Sequence, residues 1–517
     1  MDKELLDKEV LCIFDTRKIQ RYIFRSNSFV DTIGASDLVT HILNDAILNA
    51  LQTVEPALDE SEYDIDTSPD VPVPYFDSDK IKFQLISSSS GNALCIVRTG
   101  RLCQKIIRKV SGWYLRNGYS LNLAVAVTEK TDDPAADMFR LYLRLNENKG
   151  SAENLSPAPP LPVVVKEDRT GEPCIGIDED TGEYYSSTSL IRRREAAKRD
   201  SIVDMNDLRT TRAFNGREYI AFIHTDGNNL GITVSRILFN QKDYIGSIRA
   251  RRTITKKISE LYEKITRRTI ADLREYFDKD GVPDKGSFEE NFYLVHQGGD
   301  DVNCICNASL AIQFLKFFYK NLEGEYLWDS EEFKVPLYVC SGVAFVTKDI
   351  SFHTAFHKAE ECCDNAKSVA KEDRNLKDGL ASNWMDYQVL EDSDSQELDV
   401  LRRRIYVTGE RIRLLMRPYS LDPSDEDKPY SYANLISSAK AVRDLDLPRS
   451  SQEMLRLSYS IGRTEFRKWI SDMRNDGVDL TKILGKSLYE DEDKISHATW
   501  FDACELSEFI PGREEGC

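Results

Sequence analysis

The amino-acid sequence predicts an α+β protein: two tandem ferredoxin-like (βαββαβ) domains followed by a helical C-terminal domain. Three observations carry that prediction. One order of elements, strand–helix–strand–strand–helix–strand, occurs twice along the chain. Each copy holds a turn rich in small residues between two apolar runs, SSGN at 89–92 and GGDD at 298–301, as a hairpin requires. After about residue 393 the pattern changes to charged, helically spaced segments.

In the first unit (1–135), VLCIFDTRKIQRYIF (10–24) reads as a strand running into a helix that continues through SDLVTHILNDAILNALQ (36–52). KIKFQLISSSSGNALCIV (80–97) reads as a hairpin, LCQKIIRKVSGWYLRNG (102–118) as a helix and SLNLAVAVTE (120–129) as the last strand. A linker or insertion (136–215) follows, with the proline-rich stretch SAENLSPAPPLPVVVKEDRTGEP at 151–173. In the second unit (216–392), REYIAFIHTDGNNLG (217–231) is a strand breaking at a glycine-rich turn, with helical material through 277. NFYLVHQGGDDVNCIC (291–306) is a hairpin turning at Gly298–Asp301. A helix (308–323), a strand (335–348) and a closing helix (353–373) complete the unit. The remainder (393–517) reads as a helical domain, with helices over 398–417 and 450–474.

The totals narrow the function. A chain of 517 residues with 41% apolar residues has material for two to four ordinary domains. No apolar run approaches the roughly 20 residues that cross a bilayer. The first residues, MDKELLDKEVLCIF, lack the basic-then-apolar order of a signal peptide. The eleven cysteines include no CxxC pair. Cys304 and Cys306 alternate along a strand and Cys362 and Cys363 are neighbours on a helix, which suits core residues or free thiols in a reducing cytoplasm better than zinc or disulfides. A net charge of −18 argues against general nucleic-acid binding. Local basic stretches stand out at 192–217 and 245–268, against an acidic tail from Glu490 onward; the arginine run 192–194 reads as a solvated surface.

The ferredoxin-like order places the first strand of the second unit beside the hairpin, so Asp226 meets Asp300 and Asp301. Three carboxylates converging on one sheet end make a hard-oxygen site suited to Mg²⁺ or Mn²⁺, and a cation offsets their repulsion. Gly227, Gly231, Gly298 and Gly299 leave backbone N–H groups open and permit tight turns. The turn Asp226–Gly231, through Asn228, Asn229 and Leu230, lies between a strand and a helix, where amides and the helix dipole favour phosphate. Lys367 and Lys371, one turn apart on the closing helix, are placed to reach outer phosphates. His224 and His296 flank the aspartates as packing or substrate-shell residues.

These motifs resemble a family. GGDD, the upstream DGNNLG and the closing AEECCDNAKSVAK (359–371) resemble the second palm domain of the large, polymerase-like subunit of type III CRISPR effectors. FDTRKIQRYIFRSNSFVDTIGASDLV (14–39) resembles that family's first palm, with Gly34-Ala35-Ser36 expected just before the helix. ASNWMDYQVL (381–390) and LMRPYSL (415–421) resemble stretches after the second palm, the latter especially in stand-alone relatives. The resemblance implies a palm fold shared with nucleotide cyclases and polymerases, ATP or another NTP as substrate, and a cyclic oligonucleotide as product. Carried over by motif, the metal set is Asp226 with Gly227, Asp300 and Asp301; the 228–231 loop holds phosphate; and Lys367 and Lys371 hold the triphosphate tail. Sister subunits, an activating RNA or a second copy of the chain are the expected partners, and no membrane. Two departures matter. The first unit carries Ser90-Gly91-Asn92 where a GGDD would stand, so its metal chemistry is expected to be lost, and Asn228 stands where Asp is frequent. Without an adjacent His-Asp pair or a zinc ribbon, a stand-alone or reduced relative is expected. An RNA-guided effector subunit and a nucleotide sensor without turnover are the alternatives.

Overall fold

Two ferredoxin-like sheets joined along a shared apolar seam make up the computed structural model. It describes residues 3–510 apart from 27, 90, 119, 152–162, 178–181, 200–207, 214, 240, 242, 280–285, 330–333, 373–374, 378–380, 393–395, 408–412, 446–448, 476 and 478–499. Residues 152–162 of the proline-rich stretch and most of the acidic tail lie outside the described residues.

The first unit runs β1 (Val10–Arg17), α1 (Ile19–Ile23), α2 (Phe29–Thr53), β2 (Tyr63–Asp64), β3 (Phe83–Ser89), β4 (Asn92–Val97), α3 (Gly100–Asn117) and β5 (Asn122–Glu129). Its sheet order is β2-β3-β4-β1-β5, with β1 antiparallel to both β4 and β5 at the centre. The unbroken apolar run VLCIF is explained by burial on both faces. Val10, Cys12 and Phe14 join the core under α2 and α3, whereas Leu11 and Ile13 join a second core with Leu141 and Leu145 of α4 (Pro134–Ser151). Helix α2 starts earlier than expected, at Phe29 with Ser28 capping it, so Gly34-Ala35-Ser36 lies inside the helix and not before it. A side chain at Gly34 would collide with the Arg192 carbonyl of α5 (Ser187–Ala196), which follows a small hairpin, β6 (Cys174–Ile177) and β7 (Tyr184–Ser186).

The second unit runs β8 (Thr211–Arg212), β9 (Glu218–Gly227), α6 (Leu230–Phe239), α7 (Tyr244–Lys279), β10 (Phe292–Gly298), β11 (Asp301–Asn307), α8 (Ala308–Leu322), the hairpin β12 (Tyr326–Asp329) and β13 (Lys334–Pro336), β14 (Val339–Thr347) and α9 (Phe352–Ala370). Sheet order β10-β11-β9-β14 repeats the first unit's β3-β4-β1-β5, and β15 (Trp384–Leu390) and β16 (Tyr419–Ser420) extend it. Strand β9 also alternates between two cores. Tyr219, Ala221 and Ile223 pack with α7 and α8, and Ile220 and Phe222 pack with α9 and the first unit's α2.

The basic stretch 245–268 is part of α7, a strut of 36 residues, about 54 Å long. Tyr244 and Ile248 at one end belong to the first unit's core; Leu261, Ile265, Leu273 and Phe277 belong to the second's. Arg252 is buried and donates to the Leu85 and Ile86 carbonyls of β3 at 3.0 and 3.1 Å. The expected solvated arginine run is likewise corrected at Arg192. Its guanidinium is fully buried, lies over the Tyr22 ring and donates to the Tyr22 carbonyl. Within 398–417, expected as one helix, Leu398–Ile405 form α10, whereas Val407 is bridged to Arg413 and the chain runs on toward β16. The reason is Arg417, which is buried over Tyr387 and paired with Asp502 at 3.1 Å and with Glu505, so the chain must run beside β15. Asp502 and Glu505 belong to α14 (Phe501–Ser507), which follows α11 (Tyr432–Arg443), α12 (Arg449–Ile461) and α13 (Arg463–Asn475). The helix expected over 450–474 is interrupted at Gly462, whose φ is +139°. These last helices share one apolar cluster with the second sheet.

Helix α9 lies so close to β14 that a Cβ at Gly342 would collide with the Ala359 carbonyl and the Cys363 amide. Gly342→Val is therefore expected to cost about 3 kcal/mol by overpacking and to lower the melting temperature; a melting curve superimposable on the wild type would contradict the close approach.

Candidate active site

The site lies where β9 leaves the seam between the two units. Side chains alternate along a strand, so His224 and Asp226 continue the face begun by Ile220 and Phe222 and emerge at the edge of the shared core. Thr225 pairs with Val302 of β11, so the next step of the ladder sets Asp226 across from Asp301. The β10–β11 hairpin closes with Gly298 opposite Asp301, and Gly299 at φ +62° supplies the left-handed residue that a tight hairpin turn requires. Asp300, last in that turn, places Oδ2 where a Cβ on Gly227 would stand only 2.8 Å away. Glycine at 227 is what lets the two carboxylates meet.

Asp226 and Asp300 lie close enough for each carboxyl to act on the other's ionisation. Burial, and then the charge of Asp226, pushes the Asp300 carboxyl up to about 8, so it holds a proton at neutral pH. Burial works against ionised Asp226 too, but the Lys367 ammonium, bonded to its Oδ2, and then His224 hold it below the ordinary carboxylate value. Asp301 is bonded differently. Its Oδ1 accepts from Asn303 Nδ2 at 2.9 Å and lies 3.3 Å from His224 Nδ1, and its Oδ2 accepts from Gln20 of the first unit. Burial disfavours a charged His224, yet the Asp301 carboxylate overrides it and holds the imidazole protonated. His296 is the converse: burial keeps its pKa low, and its Nδ1 meets Ser36 Oγ at 2.8 Å.

The carboxylates open into a cleft of about 760 Å³ lined by both units, within the range of small-molecule sites. Asp226, Gly298, Asp300 and Asp301 line it with His224 and His296. The rest of the predicted set lies around or away from it. Asn228 is buried, with its N–H on the Tyr338 carbonyl at 2.8 Å and its Nδ2 on the Ser382 carbonyl at 2.9 Å, so both donors are held by the protein itself. Asn229 takes a left-handed φ of 62°, Leu230 packs into the core at the start of α6, and Gly231 has open space around it. Lys367 reaches Asp226, whereas Lys371 is exposed at the C-cap of α9.

Sequence reasoning named none of the residues that line the cleft from the first unit and α4, among them Asp15, Arg17, Lys18, Gln20, Arg21 and Lys149. Asp15 faces Asn92 across β1 and β4, as Asp226 faces Asp301, and is paired with Lys149 at 2.8 Å. It missed the α9 face as well: His353, His357, Glu360 and Asp364, spaced at helical intervals, all line the cleft. That spacing was visible in the sequence.

The donors suit a divalent cation chemically: they are hard oxygens, and Asp300 carries a proton that a cation would displace. Asp226 and Asp300 are the pair that would hold it, with Asp301 beside them. Among the described residues, no three His, Cys, Asp or Glu side chains already close round one point as metal ligands do; Lys367 is bonded to Asp226, and Gln20 and Asn303 to Asp301.

Two ferredoxin-like sheets facing a common cleft, with carboxylates at the end of the central strand, define a tandem-palm protein. Residues 219–377 match the family model for the second palm domain of Cas10/Cmr2. Among solved structures, a Csm1–Csm4 cassette in complex with cA4 superposes with a TM-score of 0.50 at 13% identity, covering 98% of this chain and 70% of that one. Csm1 in T. onnurineus aligns with a TM-score of 0.48 at 14% identity, over 98% and 70%. No curated protein matches the chain. Residues 219–377 are thus similar to the second palm domain of Cas10/Cmr2, and the chain as a whole has the fold seen in the Csm1–Csm4 cassette.

Metal binding should carry a pH signature. A cation held there would have to displace the Asp300 proton, so Mn²⁺ affinity is expected to rise about tenfold per pH unit below 8 and to level off above it. Isothermal titration at several pH values reads this, and Asp300→Asn should flatten the slope. In the metal-free protein the sign is opposite. Asp300 binds its proton more tightly folded than unfolded, so its contribution to stability falls as pH climbs from about 4 to about 8.

Proposed function

We propose that the chain is a metal-dependent nucleotidyltransferase that joins NTPs, ATP first among them, into a cyclic di- or oligonucleotide messenger for antiviral defence. The observation that carries this reading is the Asp226–Asp300 pair, clamped by Lys367, at the floor of a cleft to which both palms contribute. Mg²⁺ or Mn²⁺ bound there would supply the charge that activates a hydroxyl and steadies a leaving pyrophosphate.

The chain's own residues do the rest. Lys367, whose pKa is raised by Asp226 against the effect of burial, stays charged and can move from the carboxylate to a phosphate without leaving the site. Arg17, Lys18, Arg21 and Lys149 line the opposite wall and complement polyphosphate charge. Two nucleotides must lie side by side for one hydroxyl to attack the other's α-phosphate. A cleft walled by two palms supports that requirement, with Asp15 and Lys149 on the first palm occupying the place of Asp226 and its cation.

The test is direct. Purified protein is incubated with each NTP and Mg²⁺ or Mn²⁺, with any activating RNA supplied, and phosphodiester products are separated by chromatography. The doubly substituted Asp300→Ala, Asp301→Ala protein is expected to lose about 100-fold or more of the product. Equal yields from the two proteins would defeat the reading, and tightly bound, unaltered ATP would point to a sensor.

A second reading is favoured by the solved relative, which is a Csm1 held in a cassette with Csm4. On that reading this chain works as the large subunit of an RNA-guided type III effector. Co-purification of sister subunits and RNA, read from the mass and absorbance ratio of the isolated material, distinguishes it from an enzyme acting alone.

A further inference from the structure

The one side chain of the first palm bonded to the GGDD carboxylates among the described residues is Gln20, and several features of the first palm converge on placing it. Gly91, in the hairpin that lacks aspartates, has φ +80°; a Cβ there would stand 2.5 Å from Ile19 Cδ1, so the bare turn seats the first residue of α1. Lys18, the N-cap of α1, holds a left-handed φ of 54°, a conformation that costs a non-glycine residue energy and clusters at functional positions. At the other end of α1, Phe24 stacks on Phe356 of α9 at 3.6 Å. Helix α1 is thus fixed to both palms, and between its anchors Gln20 Nε2 donates to Asp301 Oδ2. Asn303 completes the arrangement, donating to Asp301 Oδ1 at 2.9 Å and lying 3.5 Å from Gln20 Oε1, while His224 Nδ1 meets Asn303 Oδ1 at 2.8 Å.

We propose that Gln20 is a cross-palm positioning residue, which holds the Asp301 carboxylate in place so that the second palm binds a divalent cation fully only when the first palm is docked on it. This rests on the metal reading of the site given above. Each carboxylate oxygen carries two lone pairs, so an oxygen that accepts from Gln20 keeps a position open for a cation. Without the Gln20 donor only Oδ1 is held, by Asn303 and His224, so Oδ2 can turn about it, and ordering it counts against the metal. Partners of this kind, one bond removed from the ion, are worth about 10–100-fold in affinity when removed.

The measurement is Mn²⁺ binding followed by electron paramagnetic resonance on the full chain, with no turnover required. Gln20→Met, which keeps length and packing but cannot donate, and Gln20→Ala are each expected to weaken Mn²⁺ binding about tenfold with an unchanged melting temperature. In an Asp301→Asn background, Gln20→Met is expected to change nothing further, because the effect runs through Asp301. Wild-type affinity in Gln20→Met overturns the proposal and leaves the enzymatic reading standing. So does tighter binding, which would make Gln20 a latch keeping Asp301 from the metal, and so does an equal loss in both backgrounds, which would mean that palm docking alone is disturbed. A wild type that binds no Mn²⁺ sinks this proposal together with the metal site itself, whereas Mn²⁺ binding without nucleotide joining sinks only the proposed activity.

Discussion

Strand β9 is walled in on both faces from Tyr219 to Ile223, one face against α7 and α8, the other against α9 and the first palm. A charge placed anywhere along that run would lose its water without gaining a partner, at a cost of several kcal/mol. The first position on the seam-facing side where a carboxylate can stand is the strand's end, at Asp226, where the shared core gives way to the cleft. The location of the site therefore follows from how the two palms pack. The apolar seam that joins them also decides where polarity becomes affordable.

At that edge the molecule tolerates two adjacent carboxyls by splitting their states. Asp226 is ionised against Lys367 and Asp300 is protonated against Asp226, so only one negative charge has to be balanced. Asp301 is kept apart from this pair by amide donors and a protonated imidazole. Neighbours in sequence thus sit in different electrostatic surroundings: Asp300 points into the turn beside Gly227, and Asp301 stands on the strand face beside His224 and Asn303.

The duplicated strand order, the hairpin at 298–301 and the meeting of Asp226 with Asp300 were legible because each rests on local pattern: continuous apolar runs of strand length, a turn that needs glycine, and a topology that admits few alternatives. What was not legible depends on contacts distant in the chain. Arg192 and Arg252 look like surface residues in any window of sequence, yet each is buried by donating to a carbonyl far away, Tyr22 in one case and Leu85 and Ile86 in the other. Arg417 breaks a helical pattern because its partners, Asp502 and Glu505, come more than eighty residues later. Gln20 gave no chemical signal of its own, since an amide on a short helix is ordinary until the second palm is set against it.

Helix α7 begins inside one palm's core and ends inside the other's, with Arg252 anchored to a strand of the first sheet partway along it. A duplication ordinarily leaves two modules that can be separated, exchanged or lost. Here the second module has lent the first part of its own interior, so cutting between them would strip Tyr244 and Ile248 from one core and leave them as a bare apolar end on the other piece. Neither half can be excised without exposing apolar surface on both pieces.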